Sequence, residues 1–403
     1  MELQHLSSPK ELKGLENQIE VSRSHRAVLE IDLWAICQNA QLLQQYSGGA
    51  KLMAVVKRDA YGLGARTIAK ALRSVKVQAF AVDNVAEGLD LRDAGISEPI
   101  LIIDGDVAEN AHSAIAHRLI PGIPHEQLLL AYNQAAARES SKYPIWLVAN
   151  VGFNRSGARN LDDFAHFVHR AKECEHLQVK AVYAHLTNSN AEADINLAQI
   201  EEFHRLAESA KQILGKQLET SLFASHSIPR WGNLYPTDWV RPGILLYGVH
   251  CYVQDLVDHE ILEIAEKFQP AVHLKARITG ILEFEQAEAI GYGQKYITKP
   301  GQRLATVANG FGTSYPFNSS RLAVIVNGHL APLFGDVGMD ALQIDITNCP
   351  EVAVYDWVTQ IGQKGDHSLD VRTVAGLAKM TSYQLLSRIH CHRSYHNFGE
   401  HTL

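Results

Sequence analysis

KLMAVVKRDAYGLG, residues 51–64, is the stretch on which the fold turns. Leu52, Met53, Ala54, Val55 and Val56 make an apolar, partly β-branched run of the length expected for a strand buried on both faces. The run ends on Lys57, turns at Tyr61-Gly62, and passes through Gly64 into a helical pattern from Ala65 to Ser74. Strand, tight turn and helix in that order form the repeating unit of parallel sheets. A lysine at such a strand end could serve as a Schiff-base amine if its surroundings lower its pKa. Lysines also end strands merely to keep the ammonium in water.

The same texture repeats outward from this segment. Apolar runs recur at 78–83, 99–104, 119–123, 145–150, 179–185, 221–225 and 242–248. Amphipathic stretches at 126–138, 161–174 and 196–214 lie between them. Together with 51–57 these runs supply eight strands, and eight βα units close into a (β/α)8 TIM barrel of about 250 residues, expected here over residues 27–262. A doubly wound open sheet is disfavoured because no glycine-rich dinucleotide turn follows the first strand. Beyond residue 263 the segments at 271–281, 303–307, 322–326 and 342–346 are β-rich, with Asn-Gly turns at 309–310 and 327–328. Residues 263–403 therefore read as a mostly β second domain closed by a helix at 381–389, and residues 1–26 as a polar extension, partly helical over 11–19.

The composition narrows the class. A net charge of -7 and a pI near 6.3 give no electrostatic case for nucleic acid or an anionic membrane. No apolar stretch approaches the ~20 residues needed to span a bilayer, and the charged N-terminus lacks the apolar core of a secretory signal. The five cysteines, Cys37, Cys174, Cys251, Cys349 and Cys391, are odd in number and lack paired spacing, which suits reduced thiols and a cytoplasmic protein. The tail cluster His390, Cys391, His392, His396 and His401 fits no zinc spacing and reads as a solvated tail, so no metal is expected. Neither a Gly-x-Ser-x-Gly elbow nor a phosphate-binding Walker loop occurs.

If active-site groups gather at the C-terminal ends of barrel strands, Lys57, Asn150, His185 and Ser225–Ser227 are candidates. Arg241 opens RPGILLYG, where Gly243 would let backbone N–H groups approach an anion closely. Arg155 lies five residues past a strand end in NVGFNRSG. In the β domain, Tyr292 stands between glycines in IGYGQKY, and Met339 and Asp340 sit on a turn in VGMDALQID. Each piece taken alone also reads as an ordinary turn, loop or structural hydrogen-bonder.

In order, VVKRDAYGLG, NRSG, AHLTNSNA, RPGILLYG, GYGQKY, VGMDALQID and TSYQLLSRI resemble the alanine racemase family over about residues 27–389. The resemblance implies a pyridoxal-phosphate-dependent amino-acid racemase, a homodimer in which the partner's β domain completes each site. It implies that Lys57 and Tyr292 are the two opposed acid/base groups, with Lys57 also the covalent anchor of the cofactor. Arg241 resembles the residue that faces the pyridine nitrogen, and His185 the ring beside the pyridine. Tyr61, Ser227, Gly243, Ile244 and Tyr383 resemble the phosphate cradle. Arg155 resembles the donor to the cofactor's phenolic oxygen and to the substrate carboxylate, to which the Met339 backbone N–H adds a second contact. The residue types suit the chemistry: racemisation removes a poorly acidic α-proton from one face and returns one to the other, which requires two acid/base groups. Tyrosine, with a reference pKa near ~10, needs a lowered pKa or a shared proton to accept at neutral pH.

Several positions depart from the family pattern. Leu63 stands where histidine is usual and Arg58 where a small residue is common. Val148 takes the place of a lysine that many members carry as a carbamate to orient the arginine, so Arg155 must be held otherwise, by Asn150 or a bound anion. Val307 and Asn309 replace a pattern whose tyrosine narrows substrate access, and Gly338 replaces a cysteine. These changes point to a wider pocket. They keep open a racemase for another or broader set of amino acids; a non-catalytic pyridoxal-phosphate-binding protein is the lesser alternative, since such relatives usually lack a β domain like that of residues 263–403.

Overall fold

The structure, a computed structural model, describes residues 25–187, 189, 193–313, 315–316 and 321–397. The extension expected at 1–26 and the helix expected at 11–19 lie outside them, save for His25 and Arg26, as does His401. Eight parallel strands close into a barrel: β2 (Lys51–Val55), β3 (Ala79–Val82), β4 (Ile100–Ile102), β5 (Leu119–Ile123), β6 (Tyr143–Val148), β7 (Leu177–Tyr183), β8 (Glu219–Ala224) and β9 (Trp239–Arg241). β9 pairs with β2 through Lys51–Trp239 and Leu52–Val240, which seals the ring. Side chains alternate across each strand. Met53, Val55, Trp146, Val148, Ala181 and Tyr183 fill the barrel interior, while Leu52, Ala54, Leu147 and Val182 pack outward against the helices.

The eighth strand is not the expected run at 242–248. It is the short Trp239–Arg241, and Ile244–Tyr247 forms a fully buried 3-10 turn instead. Pro242 has no N–H for a ladder, and Gly248 takes φ +72, so the chain leaves the barrel here. An apolar run is as compatible with a buried helical turn as with a strand.

The domain boundary at 27 also needs correction. β1 (Ala27–Asp32) is not a barrel strand; it pairs antiparallel with β10 (Val272–Phe284) in the second domain's nine-stranded sheet. Its other edge pairs parallel with a strand at His392–His396. The tail read as solvated is thus a sheet strand whose adjacent residues Ser394 and Tyr395 are both buried. The terminal helix is shorter than expected, Ser382–Leu386, and starts with a capping box between Thr381 and Gln384. No cysteine is in a disulfide, and no described helix is long and apolar enough to cross a membrane.

Gly248 marks the passage between the two domains, because an added Cβ would lie 1.9 Å from the Gln269 carbonyl oxygen. Gly248→Ala combines that backbone clash with a positive φ and is expected to destabilise the protein by roughly 2–4 kcal/mol. Urea denaturation checks this; a midpoint equal to the parent's would contradict the packing described.

Candidate active site

The segment after β2 has an unusual backbone. Arg58, Asp59, Ala60 and Tyr61 are all left-handed, with φ between 52 and 60°, making one left-handed turn from non-glycine residues. At roughly 1–2 kcal/mol per residue such a turn must be held from outside. Ala60 N–H donates to Val56 O at 2.8 Å and Gly64 N–H to Asp59 O at 2.8 Å. The Asp59 carboxylate accepts from Ala65 N–H at 2.7 Å and pairs with Arg393 of the tail strand at 2.6 Å. Glu87 accepts from Arg58 N–H at 3.0 Å and from Asp83 N–H at 2.9 Å. Leu63, in the place of the family's histidine, is fully buried, and its carbonyl accepts from Tyr395 Oη at 3.0 Å.

The turn aims Lys57 and Tyr61 into a cavity of about 360 Å³ at the C-terminal end of the barrel. Lys57 Nζ lies 3.2 Å from Asp83 Oδ1, and Arg58 pairs with the other oxygen of the same carboxylate at 3.2 Å. The Tyr61 ring packs between Tyr247 and Tyr383, with centroids 5.3 and 6.0 Å away. Its hydroxyl would sit 2.3 Å from a Cβ at position 243, so a larger residue there would displace the Tyr61 ring. Burial raises the pKa of the Tyr61 phenol, which remains a neutral donor. The Gly243 N–H donates to Ser225 Oγ at 2.8 Å and the Leu245 N–H to the same atom at 3.4 Å.

Arg241 is buried at the end of β9. Nη2 donates to Ala184 O at 2.6 Å, Nη1 donates to Ser221 Oγ, and the guanidinium stands 4.9 Å from the Tyr183 ring centroid. Burial lowers its pKa to about 10, which still leaves a cation at neutral pH. His185 lies edge-on to Phe153 at 5.1 Å. Its pKa is lowered to about 3 by burial first and by Arg241, Arg155 and Lys57 in turn, so the ring is neutral in any working range.

Arg155 stands on the loop after β6 over the Phe153 ring, 4.5 Å from its centroid. Asn150 does not hold its guanidinium. The Asn150 carbonyl accepts from the backbone N–H of Gly152 at 3.0 Å and of Asn154 at 3.1 Å, fixing the loop itself. The guanidinium is held by Asp104, just past β4: Nε donates to Oδ2 at 3.0 Å, and Nη2 pairs with the same oxygen at 2.9 Å. Val148 lines the cavity wall nearby with no charge to offer.

The chain therefore brings Lys57, Tyr61, Arg155, His185, Arg241, Gly243 and Tyr383 to one cavity. Four expected residues are placed differently. Ser227 turns its hydroxyl back onto Ala224, donating to its carbonyl at 2.9 Å, and Ser225 lines the cavity instead. Ile244 is fully buried, so only its backbone could face a ligand. Tyr292 and Met339 do not line the cavity; they are 86% and 60% exposed on the second domain. Val307 and Asn309 are buried within that domain, where Asn309 donates to Gln360 at 2.6 Å. Asp104, Asp83 and Tyr183 were missed. An acid ending the run 99–104 was the only available sign of Asp104, since its partner is 51 positions away.

The family models for the alanine racemase N-terminal and C-terminal domains match residues 31–251 and 271–395. The chain is 30% identical over 370 residues to an alanine racemase of Nostoc sp., spanning 90% of this chain and 93% of that one. It is 32% identical over 364 residues to one of Xanthomonas axonopodis pv. citri, spanning 89% and 93%. The structure of alanine racemase from Bartonella henselae with covalently bound pyridoxal phosphate superposes with a TM-score of 0.81 at 24% identity, over 92% of this chain and all 100% of that one, a likeness of fold.

His226, beside the serines of this site, is buried, and its Nε2 accepts from Cys251 N–H at 2.8 Å. Burial, then His250, lowers its pKa to about 3, against ~6.5 in the unfolded chain. The unfolded state thus binds a proton below pH 6.5 that the folded state refuses, so stability falls as pH drops from 6.5 toward 3. At pH 4.5 this single group is expected to cost about 2–3 kcal/mol relative to pH 7. His226→Asn keeps an acceptor and removes the titration. Denaturation of the two proteins at pH 7 and 4.5 should show a flatter pH response in the variant; parallel responses would count against the assignment.

Proposed function

This chain belongs to the alanine racemase family, whose members are pyridoxal-phosphate-dependent isomerases, and on that premise we propose that it interconverts L- and D-alanine by a two-base mechanism in a homodimer with shared sites. The observation that carries the reading is the meeting of Lys57, Tyr61, Arg155, Arg241 and Tyr383 in one cavity at the barrel's C-terminal end. The residues fit the cofactor. A lysine amine for covalent attachment, a buried cation for the ring nitrogen, and a glycine-lined approach at Gly243 beside the Tyr61 hydroxyl for the phosphate lie together.

When bound, pyridoxal phosphate withdraws the electron pair left on the α-carbon as its proton departs. Arg241, buried in the cavity lining, would face the ring nitrogen. Even with its pKa lowered to about 10 it keeps its proton at neutral pH, so it donates a hydrogen bond without transferring a charge. That moderates the electron sink and favours reprotonation at the α-carbon over side reactions. Arg155 holds the substrate carboxylate. Tyr61 and Tyr383, with the Gly243 turn, would hold the phosphate, and the buried Ser225 hydroxyl, which accepts from the Gly243 N–H, lines the cavity beside that turn. Lys57 Nζ takes or gives the α-proton on one face.

The partner subunit's Tyr292 serves the other face. Two facts support a partner's contribution: Tyr292 is 86% exposed and lies outside this chain's own cavity, and the second domain also exposes Met339, at 60%, outside that cavity. A large apolar side chain so exposed on a rigid domain suits an interface. A cytoplasmic setting agrees with five cysteines outside any disulfide.

Shared sites are tested by mixing two inactive variants. Lys57→Ala and Tyr292→Phe homodimers should each fail to racemise alanine, and Lys57→Ala should also lose the visible band of lysine-bound cofactor. Unfolded and refolded together, they should recover about a quarter of parental activity, because half the dimers are mixed and each mixed dimer holds one intact site. No recovery would rule against a site shared between subunits. Rates across L-alanine, serine, lysine and arginine fix the substrate; alanine well behind another amino acid would favour the broader-specificity alternative.

A further inference from the structure

We propose that Asp104, clamped by Tyr183, is the positioning residue that sets Arg155 for the substrate carboxylate. The inference deepens the racemase reading and rests on its assignment of Arg155.

Arg155 needs an anchor because its loop has little stiffness of its own. Gly152, Asn154 and Gly157 all take positive φ, at 118, 57 and 89°, and the Arg155 side chain is half exposed. Asp104 supplies the anchor from another strand end. Nε donates to Oδ2 at 3.0 Å and Nη2 stands 2.9 Å from the same oxygen as an ion pair, so the carboxylate occupies the side edge of the guanidinium. The end edge, Nη1 with the second Nη2 proton, is left to take a carboxylate through two parallel hydrogen bonds.

Asp104 is itself fixed. It sits at φ +59, a conformation that Asp and Asn tolerate best among residues other than glycine. Its backbone N–H donates to Tyr183 Oη at 2.8 Å, and that hydroxyl reaches the Asp104 carboxylate Oδ1 at 3.4 Å. Tyr183 projects inward from β7 and crosses the barrel interior to reach Asp104 past β4. The crossing passes over Gly122 of β5, where a Cβ would lie 2.3 Å from the Tyr183 oxygen. The other side of the same ring carries the Arg241 guanidinium. One tyrosine therefore ties together the two arginines assigned to cofactor and substrate, and it does so where Val148 leaves the wall without charge.

Charge and position make opposite predictions. As a mere neighbouring charge, Asp104 offsets Arg155, and Asp104→Asn would tighten binding of a carboxylate. As a positioning residue it keeps the end edge aimed at the substrate, and the same variant, with its shape and backbone preference preserved, should weaken binding. The experiment uses the holoenzyme and measures alanine kinetics together with calorimetric binding of propionate, a carboxylate that lacks the amine. Asp104→Asn is expected to raise the alanine KM and the propionate Kd at least tenfold, with kcat changed less than threefold and the cofactor's visible band intact. Tyr183→Phe, which keeps every charge, should shift both constants the same way but less, and preserves the test if Asp104→Asn folds poorly. Unchanged or tighter propionate binding in both variants, with binding lost in Arg155→Lys, overturns the role of Asp104 alone. Unchanged binding in Arg155→Lys overturns the carboxylate assignment of Arg155 and this inference with it.

Discussion

Four successive left-handed residues after a barrel strand are the constraint around which the rest of the site is arranged. Positions 57 and 61, four apart, bracket the turn, and the turn sets both side chains over the barrel mouth. At roughly 4–8 kcal/mol for four residues, local sequence alone could not maintain it. The holding groups come from far apart in the chain: Glu87 from the next βα unit, and Arg393 and Tyr395 from the last strand. Gly64 is part of the same arrangement, since a Cβ there would fall 1.9 Å from the Tyr395 oxygen. The tail strand is therefore a support for the lysine segment as well as an edge of the second sheet. The parallel pairing of that strand with β1 gives the two ends of the described chain a common role.

The cavity's electrostatics follow from the same placement. Lys57, Arg155 and Arg241 converge on it, against two carboxylates, Asp83 and Asp104, each already engaged by a cation. The buried member, Arg241, is paired with no carboxylate. Its protein contacts are a carbonyl, a hydroxyl and an aromatic face, groups that satisfy donors without neutralising the charge. Such a site is organised for anionic and acceptor-rich ligands, and burial first, then the field of the same cations, keeps His185 neutral. A neutral imidazole beside three cations adds shape, one donor and one acceptor nitrogen without adding a fourth positive charge.

Much of this was legible in the amino-acid sequence because barrel strands buried on both faces are continuous apolar runs, and active-site groups gather where those runs stop. Lys57 and His185 were found by that logic alone. The misplaced features share one cause, that pairing is decided at long range. Ile244–Tyr247 is as apolar as a strand, yet Pro242 and Gly248 turn it into a buried 3-10 segment, and the shorter Trp239–Arg241 closes the barrel. β1 has the pattern of a first barrel strand, but its partners lie more than 240 residues downstream, at Ala276 for Ala27. The tail histidines suggested solvent, whereas parallel pairing with β1 makes the segment a strand that buries Ser394 and Tyr395. Asp104 was hidden differently: a carboxylate at a strand end becomes informative only once a second strand end brings Arg155 against it.

The division of labour between the two domains follows from the geometry of a barrel mouth. Strand ends form a ring of groups that all approach a bound ligand from below, so a barrel can place a base under a planar reacting centre but not above it. The chain's own second domain reaches the cavity through Tyr383, held by a capped helical turn, and leaves Tyr292 and Met339 turned outward on short glycine-bounded segments. A group for the upper face then has to arrive on another rigid body. A second copy of the same chain can supply it without any new sequence, and two-fold symmetry supplies it to both sites at once. On the proposed reading, dimerisation is what gives the barrel its second face, and the exposed tyrosine is exposed only until the partner arrives.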